Sequence, residues 1–293
     1  MVSNTLINQK NADIFLILVA FSWGSTFVLV QNAIKDIAVF DFLAIRFFLA
    51  FVIMFALFYK KIEFDSTTIK YAAILGLFNF LAYATQTIAL NFTSSAVVGF
   101  ITGLNVVFVP IIAYFFFKKE LSIYSLIAVV LSALGVYFLT NSAELSFGLG
   151  EFLTLLCAIF VALHINYTDK LAKSKNIFTL VTFQFLAIAI LSFIASFFEP
   201  PKPFTLSKNV ILAIFVTTIF ATVFAFLVQT YAQKFTTATK TAIIFTLEPF
   251  IAALFGYFNN EPLGINQFIG FILIISAMLI SELGEKVFEA IKK

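Results

Sequence analysis

Asp13-Ile-Phe-Leu-Ile-Leu-Val-Ala-Phe-Ser-Trp-Gly-Ser-Thr-Phe-Val-Leu-Val30 holds a single ionisable side chain, at its first position. Wound as a helix at about 1.5 Å per residue, the run and its flanks reach across a hydrocarbon core of about 30 Å. Ser22-Trp23-Gly24-Ser25-Thr26 makes it too polar for the core of a signal peptide, and no small-residue cleavage site follows, so the segment is expected to be retained. Runs of the same kind recur to residue 280 and give expected helices near 13–33, 39–59, 68–90, 95–117, 121–140, 149–170, 177–198, 209–232, 238–258 and 263–282. Of the 293 residues, 62% are apolar and 11% charged, with a mean hydropathy of +1.06. Soluble domains average roughly 45–50% apolar. The sequence therefore predicts an all-α membrane protein of ten transmembrane helices whose solvent is the lipid bilayer.

Charge orients those helices. With loops assigned alternately to two sides, the side of the N-terminus collects Lys10, Lys60, Lys61, Lys70, Lys118, Lys119, Lys170, Lys173, Lys175, Lys234, Lys240, Lys286, Lys292 and Lys293. The other side holds only Lys35, Lys202 and Lys208. The positive-inside rule predicts cytoplasmic termini and a multi-pass protein of the cell inner membrane. Scattered over short loops, these lysines form no nucleic-acid-binding face, and nucleic acid is dropped as a partner. The lone cysteine, Cys157, lies in an apolar run, so no disulfide within the chain is expected and the residue reads as core filler.

The opening stretch also returns. Asp13-Ile-Phe-Leu-Ile-Leu-Val-Ala20 lies over Glu151-Phe-Leu-Thr-Leu-Leu-Cys-Ala158, and the same offset of 138 residues brings Lys35 onto Lys173, Phe40 onto Phe178 and Phe47 onto Phe185. An offset of 143 brings Gln86-Thr87-Ile-Ala89 onto Gln229-Thr230-Tyr-Ala232; the five extra residues fit the Glu199-Pro-Pro-Lys-Pro203 loop. Each half then holds five helices, an odd number, and the second must enter the membrane from the opposite side. The lysines agree: Lys118 and Lys119 correspond to Asn259-Asn260-Glu261, while the uncharged 91–95 corresponds to a segment with Lys234 and Lys240. The expected domains are a first repeat over 13–140, an inverted second over 149–282, and a cytoplasmic C-terminal tail over 283–293. Inverted repeats are typical of secondary transporters, with the binding site near mid-membrane.

Ser22-Trp23-Gly24-Ser25, Arg46, Gly99 to Pro110 running on to Lys119-Glu120-Leu121, and Leu247-Glu248-Pro249 running on to Glu261-Pro262-Leu263 resemble, in order and spacing, the EamA type of the drug/metabolite transporter superfamily. The resemblance covers about residues 13–282. It implies two five-helix units forming one transporter of amino acids and their analogues, nucleobases or drugs, without naming the cargo. The first half departs from the pattern, with Asn105-Val106 where the second has Glu248-Pro249 and its proline a turn later at Pro110, so the kinks of helices 4 and 9 are expected at different depths.

Polar side chains at membrane depth are costly and face protein or water. Asn79, Tyr83 and Gln86 share one stripe of helix 3, and the 143 offset maps them onto Thr222, Phe226 and Gln229 of helix 8. Val98, Thr102 and Asn105 on helix 4 answer Thr241, Phe245 and Glu248 on helix 9 in the same rhythm. The stripes read as cavity lining or, alternatively, as hydrogen-bond glue worth about 1–2 kcal/mol. Glu248 is the only carboxylate placed deep in a helix. Ionised there it would cost about 2.5–3.5 kcal/mol, which makes it a candidate for proton coupling; a structural glutamate serving carbonyls freed by Pro249 is the equal alternative. His164, the only histidine, stands opposite Thr26 in the repeat, with Tyr167 one turn on. It is a candidate for the cavity and for proton coupling, or a satisfied polar residue. No second histidine or thiolate accompanies it, so no metal is expected, and no cofactor motif is present. Trp23 borders the cavity or anchors an interface. Arg46, the one guanidinium against seventeen lysines, reads first as structural, a packing or snorkelling residue, with Gln184 in the matching place of the second half. Gly99 and Gly103 read as a close-packing pair matched by Ala242 and Thr246.

These features predict a carrier for a small polar or amphipathic metabolite, amino-acid-like solutes favoured and export the expected direction, working by alternating access as a monomer or homodimer with protons as the candidate coupling ion. Its cavity is expected among helices 1, 3, 4, 6, 8 and 9. A membrane-embedded enzyme on lipid-linked substrates lacks the paired carboxylates or nucleophile and base it would need. A passive channel remains as the other alternative.

Overall fold

No water reaches an unpaired N–H or C=O in hydrocarbon, so a crossing segment must satisfy its own backbone. That requirement shapes the whole chain: in the computed structural model, which describes residues 7, 11–118, 120, 122–140, 147–261 and 264–291, the regular elements among the described residues are helical. Lys10, Lys119, Leu121, Pro262, Leu263, Lys292 and Lys293 of the sequence reading lie outside the described residues.

The elements are α1 (Ala12–Gly24), α2 (Phe27–Ala33), α3 (Val39–Phe58), α4 (Ser66–Ala89), α5 (Ser95–Gly103), α6 (Asn105–Phe117) and α7 (Ile123–Thr140), followed by α8 (Leu149–Ala172), α9 (Ile177–Ser196) and α10 (Lys208–Thr218). A π-helical segment over Ile219–Phe224 leads into α11 (Ala225–Ala232), and α12 (Ala238–Phe245), α13 (Leu247–Phe258) and α14 (Ile265–Ile291) complete the chain. Among the described residues eight spans are long and apolar enough to cross a membrane: 12–33, 39–61, 66–89, 95–117, 149–172, 177–196, 208–232 and 240–258. The apolar stretches in α7 and α14 are shorter, Leu126–Gly135 and Ile265–Ile280. Past its apolar part α14 continues to Ile291, through residues assigned above to a tail, since the Glu, Lys and Ala that follow Gly284 favour helix.

Several spans are broken, each for a local reason. Ser25 and Thr26 turn their hydroxyls back onto the Ser22 and Trp23 carbonyls at 3.1 and 2.8 Å, competing with the helix ladder between α1 and α2. Between α5 and α6 the break falls at Leu104, where Asn105 Nδ2 donates to the Thr102 carbonyl at 2.9 Å. Pro110 lies six residues further on, inside α6. The matching break between α12 and α13 falls at Thr246. The expectation of kinks at different depths is thus corrected for the breaks: the one in the first half falls at Leu104, where Asn105 bonds the Thr102 carbonyl, well before the proline, and at the 143 offset it lies within one residue of that in the second.

Small residues then let the broken spans close on each other. A Cβ on Gly99 would stand 2.4 Å from Ala252 Cβ, and one on Gly103 2.7 Å from Pro249 Cγ, so α5 packs against α13 at backbone distance. Gly24 of α1 meets the Glu248 carbonyl in the same manner, at 2.6 Å. On the opposite flank α3 runs along α9 through Phe47 and Phe185, while α7 and α14 lie side by side beyond α6. The outer surface is apolar: Phe198 is 85% exposed and Phe115 71%, as a lipid-facing surface requires.

The two ends differ. At the lysine-rich end, where α1 begins, Lys240 Nζ pairs with Asp13 at 2.7 Å and Asn176 Nδ2 donates to Glu63 at 2.8 Å. Asp65 caps α4 there; the Thr68 hydroxyl and the Thr68 and Thr67 N–H groups hold its carboxylate below the usual range. At the lysine-poor end two carboxylates cap helices remote in sequence. Glu199 accepts from the Val39 and Phe40 N–H groups of α3, both at 2.8 Å, and Glu261 accepts from Ser95 Oγ at 2.9 Å and the Ala96 N–H of α5 at 3.3 Å.

Candidate functional site

Where the broken spans meet, the bundle encloses a cavity of about 60 Å³. Its walls come from both halves of the sequence. Trp23 and Phe27 enter from α1 and α2, Arg46 from α3, Asn79, Tyr83 and Gln86 from α4, and Thr102 from α5. Cys157 and His164 of α8, Phe226 and Gln229 of α11 and Glu248 of α13 close the other side. Space of that size holds roughly five waters, at about 10–15 Å³ each.

Each polar group there is held differently. Gln86 Nε2 donates to Thr102 Oγ1 at 3.2 Å, and Thr102 lies 3.9 Å from Cys157 Sγ. His164 Nε2 stands 3.1 Å from Gln184 Oε1 and 3.3 Å from Thr168 Oγ1, and Asn79 Nδ2 donates to the same Gln184 oxygen at 3.3 Å. Trp23 Nε1 donates to the Ala221 carbonyl at 2.8 Å, with its ring 5.4 Å from Phe226 and 5.0 Å from Phe245. Ala221 belongs to the π-helical segment, whose wider turn re-aims carbonyls and so frees them for side-chain donors. Gln229 is fully buried, and neither of its amide atoms has a partner among the described residues. Glu248, 5% exposed, also makes no hydrogen bond among them.

Of the thirteen residues expected at the cavity, Trp23, Asn79, Tyr83, Gln86, Thr102, His164, Phe226, Gln229 and Glu248 line it together. Asn105, Tyr167, Thr222 and Phe245 do not. Asn105 follows the break at Leu104, which carries it off the Thr102 stripe; its Oδ1 is buried without a partner. Tyr167 packs instead between Phe78 and Phe117, at 5.3 and 5.2 Å. Thr222 sits within the π-helical segment, whose extra residue per turn brings its hydroxyl to Arg46. Phe245 backs Trp23 from behind the wall. Pro249 and Pro110 stay in the helix walls, with Pro249 against Gly103.

Among the lining residues that were not expected there, two bear on the chemistry, Arg46 and Cys157. Arg46, assigned to packing, is buried yet faces the cavity: Nε donates to Thr222 Oγ1 at 2.8 Å and Nη2 to the Ala221 carbonyl at 3.3 Å, while the Tyr83 ring centre lies 4.7 Å from its Cζ. Its being the only arginine was the available signal. Cys157 carried none. Gln184, at the position 138 residues after Arg46, bonds Asn79, and Asn79 lies 143 residues before Thr222, the partner of Arg46. No group of three His, Cys, Asp or Glu side chains converges among the described residues.

An apolar-surfaced bundle of broken membrane spans around a buried polar cavity has the form of a multi-pass membrane transporter. The model of the EamA-like transporter family matches the chain twice, over residues 10–141 and 148–282, and the chain belongs to that family, within the drug/metabolite transporter superfamily. It is 34% identical over 278 residues to an uncharacterized transporter of Archaeoglobus fulgidus, covering 94% of this chain and 87% of that one. It is 22% identical to the uncharacterized transporter YoaV of Bacillus subtilis, covering 88% and 92%. A crystal structure with 17% identity overlays 96% of this chain and all of the other with a TM-score of 0.69, which establishes the likeness of fold.

Proposed function

We propose that this transporter is a secondary carrier that moves a small polar or amphipathic metabolite across the cell inner membrane by alternating access, with amino-acid-like solutes favoured and export as the direction. Ten transmembrane helices form two inverted halves, 13–140 and 149–282, with both termini cytoplasmic. The family's double match and the symmetric pair of cross-links, Arg46 to Thr222 and Asn79 to Gln184, support the inverted arrangement.

One observation carries the transport reading: a cavity whose wall holds Gln229 and Glu248 without a hydrogen-bond partner among the described residues. Buried polar groups are nearly always paired, so groups left open around a cavity point to a bound guest. At about 60 Å³ the space is well below the roughly 300–1,000 Å³ of open ligand pockets, and the halves must part to admit a solute. Trp23, Tyr83 and Phe226 supply apolar walls; Gln86, Gln229 and Glu248 supply hydrogen bonds, with Glu248 also the site of proton coupling and His164 held in its network with Gln184.

The test is counterflow in proteoliposomes over a panel of amino acids, nucleobases and cationic drugs. Saturable exchange of one class by the wild type, lost on Gln86→Ala and Gln229→Ala, is the expected result. Flux without counterflow would indicate a channel, and alanine variants that transport normally would remove both glutamines from the site.

A further inference from the structure

Arg46 lies seven residues into α3, about 10 Å below the lysine-poor end at the helical rise. Its side chain does not reach back toward that surface, because Nε and Nη2 are fixed to Thr222 and Ala221 of the π-helical segment and its Cζ lies over the faces of Tyr83 and Phe47, at 4.7 and 5.1 Å. The residue is 2% exposed and forms no ion pair among the described residues. Its remaining nitrogen, Nη1, has no hydrogen-bond partner among them either. A guanidinium is a fork made for carboxylates. Here one tine is anchored to protein and the other is left open on the cavity.

Glu248 lines the same cavity from α13, ten residues or about 15 Å from that helix's end at Phe258, and it too makes no hydrogen bond or ion pair among the described residues. The guanidinium and the carboxyl group share one small space without bonding each other. Buried charges are kept only when something neutralises them. A guest with both a carboxylate and an ammonium would satisfy both at once, whereas an amide, a drug cation or a simple anion would leave one end of the cavity unpaired. Resting on the carrier reading above, we infer that Arg46 is a binding residue: it receives the carboxylate of a zwitterionic solute whose ammonium faces Glu248, with Gln229 between the ends and Trp23 and Phe226 against its apolar part. The charges thus fix the orientation of the solute, and Arg46 determines specificity rather than packing alone.

The experiment uses the full-length protein in proteoliposomes and measures counterflow of alanine, leucine and phenylalanine, of their amides, which keep the ammonium and lack the carboxylate, and of the matching 2-oxo acids, which lack the ammonium. The wild type is expected to prefer each zwitterion by at least about tenfold over both analogues. Arg46→Gln should raise KM for the zwitterion roughly 10- to 100-fold, the loss of a hydrogen bond to a charged group, and erase its preference over the amide. Glu248→Gln should shift the preference toward the 2-oxo acid. Should Arg46→Gln fail to fold, Arg46→Lys keeps the charge without the fork and should show a smaller rise in KM with the same ranking of solutes. A purely packing role would lower activity on all solutes alike. Amides moved as well as amino acids, or an unchanged KM in Arg46→Gln, would overturn the assignment and leave the carrier standing. Wild-type counterflow of nucleobases or cationic drugs but no amino acid would do the same, whereas counterflow of no solute at all would sink both.

Discussion

Gly99→Ala tests whether the cavity depends on backbone-close packing of α5 on α13. The added Cβ would stand 2.4 Å from Ala252 Cβ, whereas carbon pairs rest at about 3.5–4.0 Å, so the helices must separate by more than about 1 Å. Overpacking of this kind costs about 1–3 kcal/mol. For a chain of this size that corresponds to a fall of roughly 2–5 °C in the unfolding midpoint, followed by intrinsic fluorescence in detergent micelles. Ala252→Gly combined with Gly99→Ala moves the methyl to the other side of the interface, and the pair should recover to within about 1 kcal/mol of wild type, the remainder being glycine's helix penalty. Because Gly24 touches the Glu248 carbonyl and Gly103 touches Pro249 in the same layer, the displacement should reach Glu248 and slow counterflow in the single variant, with recovery in the double. A single variant as stable as wild type, or a double no better than the single, would refute this account of the packing.

Gln229→Leu removes two buried amide atoms that have no partner, so it should leave the protein as stable as wild type or raise its stability by up to about 3 kcal/mol, while abolishing counterflow; a clear loss of stability would mean the amide is a structural bridge. Glu261→Ala strips the cap from α5 and should cost about 0.5–2 kcal/mol of thermal stability, and an unchanged midpoint would show that Ser95 and Ala96 do not need it. Asp65 titrates below its ordinary range in the folded protein, so the stability it adds is present at neutral pH and fades as pH falls through that lowered value. The stability gap between wild type and Asp65→Ala should therefore be full at pH 7 and narrow below about pH 4, and a gap independent of pH would exclude its carboxylate as the source.

Composition and the recurring apolar runs were enough for a helical membrane protein, because 62% apolar residues leave no other solvent than lipid, and the i, i+4, i+7 spacing of Asn79, Tyr83 and Gln86 was enough to bring those three to one wall. Two of the four misplaced residues share a physical cause. Stripe arithmetic assumes an unbroken 3.6-residue helix, and Asn105 and Thr222 each lie at or just past a place where that assumption fails: the break at Leu104 and the π-helical segment from Ile219 to Phe224. Nothing in Ile-Phe-Ala-Thr-Val-Phe announces a wider turn, which is set by tertiary partners such as Trp23 and Arg46 drawing on the Ala221 carbonyl. Arg46 was read as packing because sequence shows the depth of a residue but not whether every donor on it is used. Cys157 reaches the wall with no pattern to reveal it.

The matched positions Arg46 and Gln184 show how two similar halves can make one asymmetric site. Both stand on helices that pack against each other, and each reaches across to the other half, Arg46 to Thr222 and Gln184 to Asn79. Gln184 commits its oxygen to Asn79 and to His164 at 3.1 Å, and it stands behind the wall rather than in it. On that side the network meets the cavity through Asn79 and His164, whose side chains are already bonded to Gln184. Arg46 satisfies Thr222 with Nε and still lines the space, as do Glu248 and Gln229, neither of which has a hydrogen-bond partner among the described residues. Among the described lining residues, Arg46 of α3, Gln229 of α11 and Glu248 of α13 therefore keep hydrogen-bonding capacity that the protein does not use. On the carrier reading proposed above, a polar solute would sit toward those groups, with Asn79 and His164, held by Gln184, forming the part of the wall whose hydrogen bonds are already made within the protein.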